Sequence, residues 1–284
     1  MLKEYYTLTK PGIIYANVIA AAAGFFLAAK GHINIFLLFW TLVGIATIIA
    51  SACVYNNYMD RGIDKKMKRT QKRALVTGTI SPTNALIFAT TLGIVGFGIL
   101  ILFTNWVTVV AGIIGGIDYL FLYGIGKRKS VHGTLVGSIS GAMPPVAGYA
   151  AVVGRFDIAM ILLFLIWVCW QMVHFYAIAI YREKDYEEAS IPVLPVKKGI
   201  LHTKLQMAFY AVLFCIATVL LTVFKFAGFV YLIGVSIMSV FWLLYAVKGF
   251  FVPDSIKWAR KMFFYSLIIM LVMCVLLAVG SILP

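Results

Sequence analysis

Asn56, Asp60 and Asp64 stand at i, i+4 and i+8, which on a continuous helix puts one amide oxygen and two carboxylates on a single face. Acids four residues apart repel each other there unless something cationic lies between them. Hard oxygens in this arrangement suit Mg²⁺, an ion typically held by one or two carboxylates while phosphate oxygens and water complete its octahedron. The other reading is a solvated helix end whose acids pair with Arg61 and Lys68. Directly behind the stripe runs Lys65-Lys66-Met67-Lys68-Arg69-Thr70-Gln71-Lys72-Arg73. A basic run beside a membrane span is commonly topogenic or meets anionic lipid. Next to carboxylates it also serves as the half of a site that neutralises a departing diphosphate. Lys68, Arg69 and Arg73 are its candidates, the two arginines again four apart.

Three further constellations carry polar chemistry. Tyr123 precedes Lys127 and Arg128 by about one turn, which fits either an anion site or a snorkelling interface pair. Trp170, Gln171 and His174 form a polar and aromatic stripe inside an otherwise apolar run, where polar groups are costly and tend to face a cavity. A lone His on such a helix is more often a satisfied structural residue, so iron ligation stays an alternative there. Tyr181-Arg182-Glu183-Lys184-Asp185 is the only other acid-rich place, with Asp185 a candidate metal ligand and Arg182 a candidate anion partner. Prolines a few residues on terminate that segment. Asp118 lies about a turn and a half before Tyr123, where a buried carboxylate costs on the order of 3 kcal/mol unless neutral or paired, and it is expected to face a cavity. Cys53, Cys169, Cys215 and Cys274 are scattered without zinc-like spacing and read as small buried apolar residues.

The elements that must position these residues are transmembrane. Of 284 residues 63% are apolar and 12% charged, about half the charge of a soluble domain. Continuous apolar runs of about 20 residues recur, the length a helix needs to cross hydrocarbon. They are continuous rather than alternating, which argues against a strand barrel. Nine spans are expected near 12–29, 35–55, 84–103, 105–123, 133–153, 157–180, 206–224, 227–247 and 262–283. Met143-Pro144-Pro145 with Gly137, Gly141 and Gly148 makes the fifth a kinked, tightly packing helix. The net charge of +14 invites nucleic acid as a partner, but its distribution argues against one. Every Lys and Arg except Lys30, Arg155 and Lys225 falls on the N-terminus or on the loops after even-numbered spans. That asymmetry places the N-terminus in the cytoplasm and the C-terminus outside.

Together these motifs resemble the UbiA-type intramembrane prenyltransferases. The Asn-x-x-x-Asp-x-x-x-Asp of Asn56, Asp60 and Asp64, the Arg-Thr-x-x-Arg of Arg69, Thr70 and Arg73, and the Tyr-x-x-x-Lys of Tyr123 and Lys127 match that family residue for residue. Thr9-Lys10-Pro11-Gly12, Pro144-Pro145, Trp170-Gln171-x-x-His174-Phe175 and Asp185-Tyr186 leading to Ile191-Pro192-x-x-Pro195 are most similar to its haem-farnesylating branch. The resemblance implies an all-α bundle of nine transmembrane helices, one domain over 1–284, around a cavity open to the cytoplasmic side of a bacterial inner membrane. It implies Mg²⁺ on Asn56, Asp60, Asp64 and Asp185, with diphosphate on Lys68, Arg69, Arg73, Tyr123, Lys127, Arg128 and Arg182. Trp170, Gln171 and His174 would meet haem. Farnesyl diphosphate and haem b are the implied substrates, with a haem A synthase or terminal oxidase as assembly partner. Val173 stands where that branch usually has Pro, and Ala189 stands where other members place a second loop Asp. Two readings remain beside it: a relative that prenylates a quinone precursor or another tetrapyrrole, and a cation-coupled transporter. A small aromatic acid needs no Trp170–His174 stripe, and charge gathered at one face argues against transport.

Overall fold

The computed structural model describes residues 2–66, 70–280 and 282–283, and every regular element among them is helical. In chain order these are α1 (Leu2–Leu8), α2 (Pro11–Ala29), α3 (Ile35–Asp64), α4 (Ala74–Thr77), α5 (Pro82–Phe103) and α6 (Trp106–Ile117). A π-helical turn over Asp118–Leu122 joins α6 to α7 (Tyr123–Lys129). There follow α8 (Gly133–Val153), α9 (Ile158–Tyr181), α10 (Glu183–Glu188), α11 (Leu194–Val223), α12 (Phe229–Lys248) and α13 (Ser255–Gly280). Among the described residues nine helices are long and apolar enough to span a bilayer, with α6, the π turn and α7 counting as one.

Local chemistry sets the helix ends. Asn34, Ser81, Asn105 and Asp157 each accept a backbone N–H of the following first turn, satisfying donors a helix start leaves free. Pro11 and Pro82 sit in first turns, where the missing N–H costs nothing. α11 begins at Leu194, some twelve residues before the apolar run suggested, because the basic stretch over Lys197–Lys204 is helical too. Gly199, at φ 82°, breaks its regularity there. α13 likewise starts at Ser255 rather than near 262.

The spans form a closed ring of neighbours. α2 packs on α8 and α13, α8 on α6 and α9, and α9 on α11 and α13, while α3 pairs with α5. The α2–α8 seam is closest: a Cβ on Gly24 would lie 2.0 Å from the Pro145 carbonyl oxygen, and one on Gly148 1.9 Å from that of Ala21. Only glycine lets two backbones meet so tightly, as helices in lipid favour. Ile94, Leu102, Ile233 and Ile237 point outward from the bundle, matching an apolar solvent. α9 is the most enclosed span, and its polar stripe therefore faces protein and cavity rather than lipid.

Candidate active site

α3 carries its helical hydrogen bonds past the apolar run to Asp64, which presents Asn56, Asp60 and Asp64 in register. All three are buried, at 4%, 9% and 4% exposure, and line one chamber of about 740 Å³. That is the upper part of the range for small-molecule sites. The solvated-helix-end alternative is thereby excluded.

Each stripe residue is met by a cation: Lys10, Lys127 and Arg128 come from distant parts of the chain, and Arg73 from nine residues beyond Asp64. Lys10 Nζ donates to Asn56 Oδ1 at 2.8 Å. Lys127 Nζ and Arg128 Nη2 reach the two oxygens of Asp60 at 2.5 and 3.1 Å, and Arg73 Nη1 reaches Asp64 Oδ2 at 2.7 Å. Arg61 turns instead to the Tyr58 carbonyl and ring. Lys127 Nζ also lies 5.1 Å from the centroid of the Tyr123 ring, which stacks on Tyr119 at 5.6 Å. Gly137 leaves room for Tyr123, since a Cβ there would fall 2.6 Å from its ring.

These groups suit a divalent cation with a phosphate ligand. The oxygens are hard, share one helical face and open on one chamber, and Asn56 Nδ2 is buried without a partner, so the amide is held at one end only. Among the described residues no cluster of three or more His, Cys, Asp or Glu side chains forms a cage. An ion here would draw its remaining oxygens from its ligand and water.

Lys10 was read from the sequence as topogenic charge; the structure puts it at the site. It precedes α2 in the left-handed region at φ 55°, a costly conformation for a side chain of its size, and lines the chamber. Burial pushes its ammonium down to about 8. Thr9-Lys10-Pro11-Gly12 was the available signal, a lysine held beside a proline at the chamber mouth.

Trp170, Gln171 and His174 of α9 line the same chamber. The indole and imidazole stack with centroids 4.9 Å apart, and Phe263 of α13 lies 4.9 Å from the imidazole on another side. Trp170 Nε1 donates to the Ser266 carbonyl at 2.9 Å, and His174 Nδ1 lies 2.6 Å from Ser266 Oγ. Gln171 Nε2 donates to the carbonyls of Ser138 and Trp167 at 3.2 and 3.0 Å. Gly141 gives Gln171 its space. Val173 is fully buried and α9 runs through it unbroken.

Two expectations change. Asp118 does not line the chamber; it is 1% exposed, and its Oδ2 accepts the Ser140 N–H at 2.9 Å. The π turn beginning at Asp118 rotates the helix out of the register that counting back from Tyr123 assumes. Asp185 is not brought to the stripe: its side chain is 43% exposed, pairs with Arg182 at 3.7 Å and lies outside the chamber lining. Arg182 itself stands at the rim. Lys68 and Arg69 lie outside the described residues.

Comparison with known proteins bears on this geometry. The sequence profile of the UbiA prenyltransferase family matches residues 17–268. A protoheme IX farnesyltransferase of Klebsiella pneumoniae subsp. pneumoniae is 47% identical over 100% of this chain and 97% of its own length. Among solved structures, one of digeranylgeranylglyceryl phosphate synthase has a TM-score of 0.83 at 24% identity, covering 99% of this chain and 98% of that one. A UbiA homolog from Archaeoglobus fulgidus bound to GPP and Mg²⁺ has a TM-score of 0.69 at 15% identity, covering 97% and 99%. At those identities the two structures speak for the fold.

Proposed function

The chain belongs to the UbiA prenyltransferase family, a multi-pass membrane protein, and from that premise we propose that it transfers the farnesyl group of farnesyl diphosphate to a vinyl group of protohaem IX, giving haem O. The observation that carries the reading is that the acid–cation cluster and the Trp170–His174 wall line one chamber. The 47% identity to a protoheme IX farnesyltransferase supports the acceptor. The Mg²⁺ and GPP on the Archaeoglobus fulgidus homolog support a metal and a prenyl diphosphate as ligands.

Asn56, Asp60 and Asp64 would hold the metal; bound there, a divalent cation supplies Lewis-acid neutralisation of the diphosphate oxygens. Asp185, paired with Arg182 at the rim, is given no ligand role. Lys10, Arg73, Lys127 and Arg128 would exchange their present acceptors for phosphate oxygens, concentrating positive charge where negative charge develops. The bond from farnesyl C1 to the diphosphate oxygen breaks with its electron pair leaving on the diphosphate. The allylic cation left behind lies among Ile45, Ile48, Leu100 and Met143, apolar lining that withholds water. A haem vinyl carbon attacks it, and water then adds to the new cation beside the macrocycle and loses a proton, leaving a hydroxyethylfarnesyl group.

The charge asymmetry supports a mouth facing the cytoplasm of a bacterial inner membrane. A Lys3→Cys variant should then react with impermeant maleimide only in inside-out vesicles. For the reaction, purified chain is mixed with haem, farnesyl diphosphate and Mg²⁺ and the product weighed. Haem gaining one hydroxyethylfarnesyl unit, lost when EDTA replaces Mg²⁺, is the expected result. Unmodified haem alongside a prenylated quinone precursor would move the acceptor to the other branch.

A further inference from the structure

Ser266 is a fully buried polar residue in a membrane-spanning helix, and the reaction just described gives it no task. Its hydroxyl lies 2.6 Å from the carbonyl oxygen of Phe263 and 2.6 Å from His174 Nδ1. Two oxygens that close require a proton between them, and only the hydroxyl has one to give. Ser266 Oγ therefore donates to Phe263 and can only accept from the imidazole. Nδ1 carries the proton, and Nε2 keeps its lone pair. Among the described residues Nε2 has no hydrogen-bond partner, and it is not one of the sealed, unpartnered polar atoms, while the ring lines the chamber. The ring cannot easily turn away: Trp170 stacks against it, Phe263 closes another side, and the Ser266 carbonyl ties down the Trp170 indole. An imidazole whose N–H is held by an acceptor while its other nitrogen faces open space is the arrangement that metal-ligating histidines show.

We propose that Ser266 is a positioning residue that fixes the tautomer and aim of His174, so that Nε2 becomes an axial ligand to the iron of the tetrapyrrole acceptor. The proposal rests on the haem-acceptor reading above. It assigns the iron a purpose in recognition: the macrocycle is seated by its metal while its vinyl edge does the chemistry. It also separates the acceptor's two handles, since an iron-free porphyrin offers the same rings without a ligand site.

The test uses the full-length purified chain and two probes, ferric haem and iron-free protoporphyrin IX. Wild-type protein should bind both and give ferric haem the absorption and electron paramagnetic resonance signature of imidazole ligation. His174→Ala should lose that signature and at least 10-fold in haem affinity, regain the signature with added imidazole, and bind protoporphyrin IX as wild type does. Ser266→Ala should weaken haem alone by about 10-fold, the scale for losing a support behind a metal ligand, and Ser266→Thr should restore it. A cooperative thermal unfolding transition in detergent certifies the fold of each variant, and His174→Gln replaces His174→Ala if the latter shows none. Equal loss of haem and protoporphyrin in the variants that fold, or an unchanged spectrum in His174→Ala, would overturn iron ligation and leave the acceptor reading standing. Wild-type protein binding neither probe would overturn both.

Discussion

At the mouth of the chamber Asp60 and Asp64 meet Arg73, Lys127 and Arg128 as charged pairs, and all of these but Asp64–Arg73 join distant stretches of chain. Along the α9 wall the working groups are neutral and are held by carbonyls and one hydroxyl. The difference follows from depth. Near the rim, Asp60 and Asp64 are stabilised by Lys127, Arg128 and Arg73, and these partners can be traded for a ligand that brings its own charges. Deeper in, an unpaired charge would be prohibitively costly, so recognition there must be built from fixed dipoles and lone pairs. On the proposed reaction one region exchanges partners and the other keeps them.

The sharpest break of that contrast is Asp60→Ala. It removes a carboxylate of the proposed metal site and leaves Lys127 and Arg128 without their acceptor, so farnesyl transfer should fall by about 10³-fold, the scale for losing a preorganised electrostatic group. Protoporphyrin binding at the α9 wall should be untouched. Near-normal transfer, followed by product mass, would move the site elsewhere. Lys10→Met comes next. Losing one of the four cations proposed to meet the diphosphate should cost about 10²-fold in kcat/KM for farnesyl diphosphate while haem affinity stays at the wild-type value. A loss confined to haem would reassign Lys10 to the acceptor's carboxylates.

How much of this was legible in the residues divides along the same line. The stripe, Arg73, Tyr123, Lys127 and Arg128 could be read because charge among apolar spans is rare, and spacing alone put the acids on one face. Asp118 could not be placed, because a π turn inserts one extra residue per turn and no composition signal marks it. Lys10 was hidden by the topogenic lysines around it, and Ser266 by being a single hydroxyl in an apolar run. The true start of α11 was hidden by its own lysines: Lys204, 6% exposed, donates to the Gly249 carbonyl at 2.6 Å and to Ser255 Oγ at 2.8 Å, a tie between helices rather than a loop charge.

Two glycines of α8 sharpen the comparison at smaller amplitude. Gly148→Ala drives a methyl toward the Ala21 carbonyl, and backbone cannot step aside, so the variant should lose about 1–3 kcal/mol, read as a lowered Tm in detergent. Gly141→Ala meets the Gln171 carboxamide instead, with its Cβ 1.9 Å from Oε1. A side chain can swing away, so Tm should drop less while porphyrin affinity drops more. Equal thermal losses in both would mean that Gln171 is as immovable as backbone.

The smallest effect is expected at Asp118, and it is informative because a carboxylate within a span invites a charged role. Its Oδ2 accepts the Ser140 N–H, its Oδ1 is buried without a partner, and among the described residues no cation reaches it. What α8 takes from this side chain is one acceptor, which an amide oxygen supplies equally well. Asp118→Asn should therefore shift stability by under about 1 kcal/mol and leave the transfer rate within two-fold, whereas Asp118→Leu strands the Ser140 N–H and should cost about 1–3 kcal/mol. If Asp118→Asn instead lost activity as Asp60→Ala does, the division between a charged mouth and a neutral interior would fail, because a carboxylate remote from the mouth would then be acting through its charge.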